Sequence, residues 1–277
     1  SLSPYQLISP ILHSVSIDLI SLENAKADYY YTFNDSIESF HMDSLNFYAY
    51  DFLVDSLSEI NPRFWYCRSF VFDATGMEGM LKGRNHRISV THFDLDTEKG
   101  LFNVDNIYFN PLSTHTKNDY MKGDIRSVNV KKLVYDNGIN AGLLQIESPH
   151  IRYVKASSVD KKETNPSDKI SQTDIQALLN QLFRYSSIQD ISANHADMYF
   201  YDKNEVDSAT YSLSDFNFHA TNLLIDERTI KRENEMFFDY QDFDFSFRNF
   251  DSYLSDKKYR FMLNNAVFST KDPKLSL

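Results

Sequence analysis

The chain has 277 residues, of which 15% are aromatic and only one is a cysteine, and its formal net charge at pH 7 is −11. This acidity argues against a nucleic-acid-binding surface, which needs clustered Lys and Arg, and against attraction to an anionic bilayer. Because Cys67 is the only cysteine, an intramolecular disulfide and a cysteine-rich metal site are both excluded.

The first predicted element is a short amphipathic helix within the stretch from Pro4 to Val15, where Leu7, Ile8, Ile11 and Leu12 have helical spacing. No apolar run approaches 18 residues, and no signal-peptide layout is present. Because the chain opens with Ser1 rather than Met, we interpret it as a segment of a longer protein. We expect any membrane anchor to lie outside this segment.

Most of the sequence after this helix alternates between apolar and polar residues, which predicts half-buried β-strands. The clearest alternations are Ala25 to Tyr31, Leu45 to Ala49, Val128 to Val130, Phe216 to Ala220 and Phe243 to Arg248. Turn sequences such as Asn137-Gly138 and Thr97-Glu98-Lys99-Gly100 fall between them and predict short antiparallel connections.

One segment interrupts the predicted strands. Residues 157–170 are polar and charged without alternation, so we predict a linker there. The sequence Ser171-Gln172-Thr173-Asp174 can then cap a helix that runs to about Tyr185. This second helix would carry a single apolar stripe, formed by Ile175, Leu178, Leu179, Leu182 and Phe183.

The chain also repeats itself. Ile20 to Asp55 aligns without gaps with Ile191 to Asp226, and nine of the 36 aligned pairs are identical. The same offset places Phe72-Asp73 over Phe243-Asp244. Internal similarity of this kind is typical of stacked units. We therefore predict a first unit of one helix and a β-meander over residues 1–156, a linker over 157–170, and a related but shorter second unit over 171–277.

The sequence offers weak support for catalytic or metal chemistry. Asp94, Asp96, Glu98 and Gly100 are similar to the start of a calcium loop, but the glycine comes one position late, so a hairpin turn is the better interpretation. The histidines are scattered, and we predict solvated strand positions for His195 and His219 and a buried position for Cys67. We therefore expect no catalytic residue, no metal site and no cofactor.

An acidic stretch with interleaved aromatic residues contains Asp239, Asp242, Asp244 and Asp251. Such residues can form a carbohydrate cleft with paired carboxylates. Alternation, however, places Asp242 and Asp244 on the face opposite Phe243, Phe245 and Phe247. A solvated strand face is therefore the favoured interpretation.

The stretch from Ile88 to Pro111 resembles the strand-turn-strand units of the AsmA-like proteins of Gram-negative envelopes. The stretches Asp124 to Val130, Ile139 to Tyr153 and Ile191 to Phe200 share this pattern, in which paired strands end near Asn-Pro or Ser-Pro corners. The Tyr-, Phe-, Asn- and Asp-rich composition is closer to Bacteroidetes-type members than to enterobacterial ones.

The resemblance implies a sheet of the bridge-like lipid-transfer type: elongated, strongly curved and apolar on its concave face. It also implies a periplasmic location, an anchor in the inner membrane, and a role in moving or shielding phospholipid, with other envelope proteins as possible partners. We therefore expect a mainly β fold, an elongated curved antiparallel sheet built from two related units with one or two short helices. The expected lipid-contacting residues are Leu45, Phe47, Val128, Val130, Phe216, Phe218, Phe243 and Phe245.

Two alternatives stay open. The same apolar residues can form the dry core of a sandwich, in a structural or protein-interaction module without lipid. A carbohydrate-active enzyme would instead need two carboxylates about 5 to 9 Å apart in a cleft.

Overall fold

A computed structural model describes residues 3–33, 36–58, 64–80, 86–112, 120–135, 139–155, 186–202, 209–225, 241–254, 259–271 and 274–276. Nearly all of these residues belong to one open, curved, mostly antiparallel sheet, which confirms the predicted mainly β fold. The strands are β1 (Val15–Phe33), β2 (Ser36–Val54), β3 (Ser69–Met80), β4 (His86–Asp96), β5 (Leu101–Pro111), β6 (Tyr120–Lys131), β7 (Val134–Tyr135), β8 (Ile139–Lys155), β9 (Ser186–Asp202), β10 (Tyr211–Ile225), β11 (Asp242–Leu254), β12 (Tyr259–Ser269) and β13 (Lys274–Ser276).

The order of the strands in the sheet follows the order in the chain. Each strand pairs with its predecessor, except that the two-residue β7 pairs only with β8, which itself continues the sheet from β6. All pairings are antiparallel apart from that of β8 with β9. In this parallel pair Ile139 lies beside Ser186 and Lys155 beside Asp202. The strands of both halves therefore belong to one sheet, and the unit boundary near residues 157–170 stays a prediction.

Helical structure among the described residues is limited to α1 (Pro4–Ile8) and a 3₁₀ turn at Phe64–Tyr66. Ser3 caps α1, because its side chain accepts a hydrogen bond from the backbone N–H of Gln6 at 3.1 Å. The helix ends before Ile11, which is 84% exposed, so it is shorter than its apolar spacing predicts. The predicted linker over residues 157–170 and the predicted helix over residues 171–185 lie outside the described residues.

The turn between β4 and β5 has the predicted form. The backbone N–H of Lys99 donates to Oδ1 of the buried Asp96 at 2.9 Å, and the Nζ atom of Lys99 lies 2.7 Å from the other carboxylate oxygen. Gly100 closes the turn with a φ of 63°, which an L-residue rarely adopts. Burial acts to raise the pKa of Asp96, but the hydrogen bonds from Lys99 outweigh it and lower the pKa.

The predicted repeat is visible in the hydrogen bonding of the sheet. The β1–β2 pair and its counterpart, the β9–β10 pair, have the same register, and both are irregular at the same place. At that place the N–H of Asn24 donates to Oδ1 of Asn46 at 2.9 Å, and the N–H of His195 donates to Oδ1 of Asn217 at 2.9 Å.

The offset between the two copies changes after these strands. The N–H of Thr97 donates to the carbonyl of Phe70 at 3.0 Å, and the N–H of Thr270 donates to the carbonyl of Phe243 at 3.0 Å. Phe243 therefore corresponds to Phe70, and the alignment of Phe72-Asp73 with Phe243-Asp244 is wrong. The second copy has two additional residues between the strands, which a constant offset cannot represent.

Candidate functional site

Two neighbouring rows of apolar residues cross most of the sheet, and each strand that a row crosses contributes one residue to it. The first apolar row runs from β1 to β11 through Leu22, Phe47, Phe72, Leu95, Phe102, Val130, Leu144, Ile191, Ala220 and Phe243. The second apolar row runs from β1 to β12 through Ala25, Leu45, Ala74, Phe93, Val104, Val128, Ile146, Ala193, Phe218, Phe245 and Phe268. Both rows are apolar at every strand that they cross.

Ring contacts place the two rows on the same side of the sheet, which we call the apolar face. The ring of Phe93 in the second row has its centroid 5.3 Å from Phe72 and 5.3 Å from Phe102, both in the first row. In the other half, Phe243 of the first row lies 5.5 Å from Phe268 of the second. Aromatic rings at these separations are in direct contact.

The residues between the two apolar rows are polar in every strand from β2 to β12 and face the opposite side, the polar face. This polar row consists of Asn46, Asp73, Asp94, Asn103, Asn129, Gln145, Ser192, His219, Asp244 and Ser269. Some neighbours are bonded across strands: Nδ2 of Asn103, for example, donates to Oδ2 of Asp94 at 3.2 Å.

A line of left-handed residues, which we call the crease, crosses the strands part-way along their length. It is formed by Asn24, Gly76, Asn106, Ser148, His195, Asp215 and Asn249, all with positive φ. Such residues interrupt regular alternation, as in a β-bulge. Phe247 and Phe250 show the effect: three residues apart, they would face opposite sides of a regular strand, yet their rings lie 6.2 Å apart across Asn249.

Apolar alternation resumes beyond the crease, one residue out of phase. A third apolar row there consists of Tyr29, Phe40, Gly79, Ile88, Phe109, Gly123, Ile151, Met198, Leu213, Phe250 and Leu263. At both glycines an aromatic ring from the adjacent strand lies close to the missing side-chain position. A Cβ on Gly79 would lie 2.7 Å from Phe40. One on Gly123 would clash with the backbone carbonyl of His150 and lie 3.0 Å from Phe109. The apolar face therefore extends to both sides of the crease.

Within the part of the chain that the structure describes, no second sheet covers the apolar face. The extensive contacts of each strand are with its neighbours in the sheet, apart from those between β2 and the 3₁₀ turn. Small or central members such as Ala74 are buried, whereas most others are only half-buried because their outer surfaces have no layer above them. Apolar patches of this extent are rare on soluble proteins and mark binding sites.

One end of the apolar face is packed more densely than the rest. Ala49, Cys67 and Phe70 are buried there together, which confirms the predicted burial of Cys67. The ring of Trp65 lies 5.3 Å from that of Phe70 and 6.4 Å from that of Phe47, although Trp65 is 60% exposed. This tryptophan partly covers the end of the first apolar row.

Four histidines on the polar face each lie between two aspartates, an arrangement that we call an Asp–His–Asp bridge. His92 of β4 is the clearest example: its Nε2 atom lies 2.9 Å from Asp73 of β3, and its Nδ1 atom lies 3.4 Å from Asp105 of β5. The other three bridges are Asp28–His41–Asp43, Asp124–His150–Asp197 and Asp190–His219–Asp244, with N···O distances from 2.7 to 3.5 Å.

At two of the bridges the carboxylates favour the protonated form of the imidazole. Hydrogen bonding to Asp73 raises the pKa of His92, and hydrogen bonding to Asp28 raises that of His41. The pKa of Asp215 is lowered, first by its hydrogen bond to the His195 ring at 2.7 Å. The side chains of His195 and His219 are 69% and 39% exposed, which confirms the solvated positions predicted for them.

The acidic stretch near β11 is used mainly in contacts between strands. Asp251 binds Arg260 of β12, with 2.6 Å between Nη2 and Oδ2, and this bond lowers the pKa of Asp251. Asp244 belongs to the bridge at His219. Asp239 lies outside the described residues. Asp244 and Asp251 therefore both have a basic neighbour in an adjacent strand.

A shallow pocket of about 310 Å³ lies on the polar face over β5, β6, β8 and β9. Its lining includes Lys122 and Arg152, which are direct cross-strand neighbours, and the ring of Tyr199. The guanidinium of Arg152 also lies 3.8 Å from the ring centroid of Tyr201. Because the pocket lies on the other side of the sheet, it is separate from the apolar face.

The structure brings the eight predicted lipid-contacting residues together on the apolar face. The first apolar row contains Phe47, Val130 and Phe243, the second contains Leu45, Val128, Phe218 and Phe245, and Phe216 lies 6.2 Å from Phe245. Sequence reasoning omitted equivalent residues such as Phe93 and Phe102, although the same alternation could have identified them. It also missed the crease and the Asp–His–Asp bridges.

Among the described residues, no group of three or more His, Cys, Asp or Glu side chains is arranged to hold a metal ion. None of the helices in that part of the chain has the length and apolar character needed to cross a membrane. A scan against protein-family models, a search of curated proteins and a search of solved structures found no match to this chain.

Proposed function

We propose that the chain is a non-catalytic β-groove segment whose apolar face shields lipid acyl chains. The observation that carries this proposal is the pair of unbroken apolar rows, which have no second layer over them among the described residues. The first row spans ten strands. At a strand spacing of about 4.8 Å, this corresponds to a strip roughly 40 Å long.

The chemistry of the rows favours hydrocarbon over a polar ligand. An acyl chain needs no hydrogen-bond partners, and each methylene that leaves water contributes ~0.8 kcal/mol. A peptide segment laid along the same strip would bring N–H and C=O groups that the two rows cannot satisfy. The side chains of the rows, being aromatic or aliphatic at every strand, suit acyl chains better.

We also propose that the chain is an AsmA-like, Bacteroidetes-type protein of the periplasm, tethered to the inner membrane and acting in envelope lipid transport or membrane assembly. The sequence resemblance of Ile88 to Pro111 and the related stretches supports this assignment. An open and curved sheet is also the architecture that the resemblance implies.

Two substitutions in adjacent residues of β6 test the lipid proposal. Val128→Asp places a charge in the second apolar row, whereas Asn129→Asp places the same charge in the polar row. We expect native mass spectrometry of detergent-free protein from bacterial membranes to show phospholipid on the wild type and on Asn129→Asp. We expect Val128→Asp to lose it, because a buried carboxylate opposes hydrocarbon.

A third variant distinguishes loss of lipid binding from unfolding of the sheet. Val128→Thr keeps the shape of the side chain and adds one hydroxyl, and we expect it to reduce lipid occupancy with a circular dichroism spectrum like that of the wild type. The proposal fails if the wild type carries no phospholipid, or if Asn129→Asp loses as much as Val128→Asp.

The alternative is a structural or protein-interaction module. The exposed Trp65 at the end of the apolar face favours it, because tryptophan is enriched at protein interfaces. In that case the wild type would co-purify with a protein that covers the apolar face and would carry no lipid. Both proposals assign no catalytic role to the chain.

A further inference from the structure

The outer edge of β1 is a long strand edge that no described strand covers. β1 has 19 residues and is the first strand of the sheet. Proteins usually protect such edges with short strands, charged residues, bulges or prolines. β1 is long and has no proline, and its protection is limited to one irregular stretch between Leu22 and Ala27 and four charged residues. It also exposes several large apolar residues: Ile17, Leu19, Ile20 and Leu22.

The second copy of the repeat shows what an edge of this kind binds. β9 corresponds to β1 and pairs with β10 in the register in which β1 pairs with β2. Its other edge is fully occupied by β8, which runs parallel to it from Ser186 to Asp202. In this pair Ile191, the counterpart of Ile20, lies beside Leu144 and is half-buried.

The crease does not prevent this pairing. Asn24 in β1 and His195 in β9 have almost the same positive φ, 51° and 54°. β8 nevertheless pairs on both sides of His195, through Asn194 and Asp197. Ser148 of β8 makes this possible, because it has a φ of 47° beside His195. A partner of such an edge therefore needs its own left-handed residue at this point.

We propose that the outer edge of β1 binds a parallel β-strand of the β8 type from a second, separate β-sheet protein. The partner strand has about 17 residues, like β8. It is apolar at the positions of Leu144 and Ile146, and it carries Ser, Asn, Asp or Gly at the position of Ser148, since these residues tolerate a positive φ. The apolar rows then continue into the partner. This inference does not depend on which ligand the apolar face holds.

A synthetic peptide with the sequence of residues 139–155 serves as the probe. In the β8–β9 pair Gln145 lies beside Ser192 and Asn140 beside Ser187, whose counterparts in β1 are Ser21 and Ser16. We expect the 277-residue chain carrying Ser21→Cys to form a disulfide with the peptide carrying Gln145→Cys, and the chain carrying Ser16→Cys to form one with the peptide carrying Asn140→Cys. Residues paired in neighbouring strands are close enough for this bond.

Two controls make the result specific. Ser192→Cys occupies the corresponding position of β9, whose edge is covered by β8, so we expect it not to react with the Gln145→Cys peptide. An antiparallel peptide would join Ser16→Cys to His150→Cys, and we expect this product to be absent. The unmodified chain, with its buried Cys67, measures background reaction. The proposal is overturned if no disulfide product forms, if cysteines form disulfides regardless of their register, or if the antiparallel product predominates.

Discussion

At the scale of single residues, the Asp–His–Asp bridge at His92 gives the polar face a charge that depends on pH. This bridge joins β3, β4 and β5, so protonation of the imidazole acts on two strand pairs at once. In a chain with a net charge of −11, a protonated imidazole between two carboxylates relieves repulsion. We therefore expect mild acidity to strengthen the contacts of β4 with β3 and β5.

His92 allows the direction of this effect to be tested. Its pKa in the folded protein is raised above the unfolded value of about 6.5. Its stabilising contribution is therefore fully present below about pH 6.5 and is lost as the pH rises through the raised pKa. We expect His92→Gln to lower the thermal midpoint more at about pH 5.5 than at about pH 8.5.

His13 supplies the control, because it is exposed ahead of β1 and belongs to none of the bridges. In His13→Gln the thermal midpoint should differ between the two pH values by as much as it does in the wild type. An equal effect of His92→Gln at both pH values would show that the contribution of the bridge to stability does not depend on protonation of the imidazole. An NMR titration of the His92 ring would confirm the direction of the pKa shift.

At the scale of strands, the crease decides which side chains share a face. In β5 the apolar residues are Phe102 and Val104 on one side of Asn106, and Ile107 and Phe109 on the other. The change from even to odd positions is visible in the sequence. A search for uninterrupted alternation finds the two runs separately and does not relate them, which is why the crease was not predicted.

Asn106 tests the conformational requirement of the crease. It has a φ of 49°, which a β-branched residue adopts only at a high cost. We expect Asn106→Val to reduce the free energy of unfolding in urea by about 1–2 kcal/mol. Asn106→Gly should change it by no more than about 0.5 kcal/mol, since glycine adopts this conformation readily. Equal losses in both variants would indicate that the Asn side chain, rather than the backbone, is what matters.

The direction of the strands was the least predictable property at this scale. Hairpin signals such as Thr97 to Gly100 predict antiparallel pairing correctly, because a short turn leaves no other option. Alternation itself is the same in parallel and antiparallel strands. The break in the pattern after β8 therefore indicated an interruption, but not that Ile139 to Lys155 would pair in parallel with β9.

At the scale of the whole molecule, the sheet is built twice on the same plan. The hydrogen bond from Asn24 to Asn46 in one half has the same length as the bond from His195 to Asn217 in the other. Sequence alignment found this correspondence from nine identities. Predicting the surface that the two copies form together would have required the register of every strand pair, which sequence alone does not provide.

The repeat predicts matching responses to matching substitutions. Asn46→Ala and Asn217→Ala each remove one acceptor of a backbone N–H, and we expect each to lower the free energy of unfolding by about 1 kcal/mol. The double variant should lose about the sum of the two, because distant sites act independently. Urea denaturation followed by circular dichroism measures all three values.

Asn129→Ala is the control for this pair. Asn129 belongs to the same polar row, but among the described residues its side chain donates to the hydroxyl of Ser127, at 3.1 Å, and accepts from no backbone N–H. Its removal should therefore cost no more than about 0.5 kcal/mol. If Asn46→Ala strongly lowered the free energy of unfolding and Asn217→Ala did not, the two hydrogen bonds would contribute unequally to stability despite their equal geometry.

The matched crease also limits how the length of this protein can change during evolution. Inserting a single residue into any one strand would turn half of its side chains to the wrong face relative to both neighbours. Length variation is therefore tolerated only in the connections. The two halves follow this rule, since their two-residue difference falls between β10 and β11, outside every strand. Related sequences should differ in length at such connections and keep constant spacing within each strand.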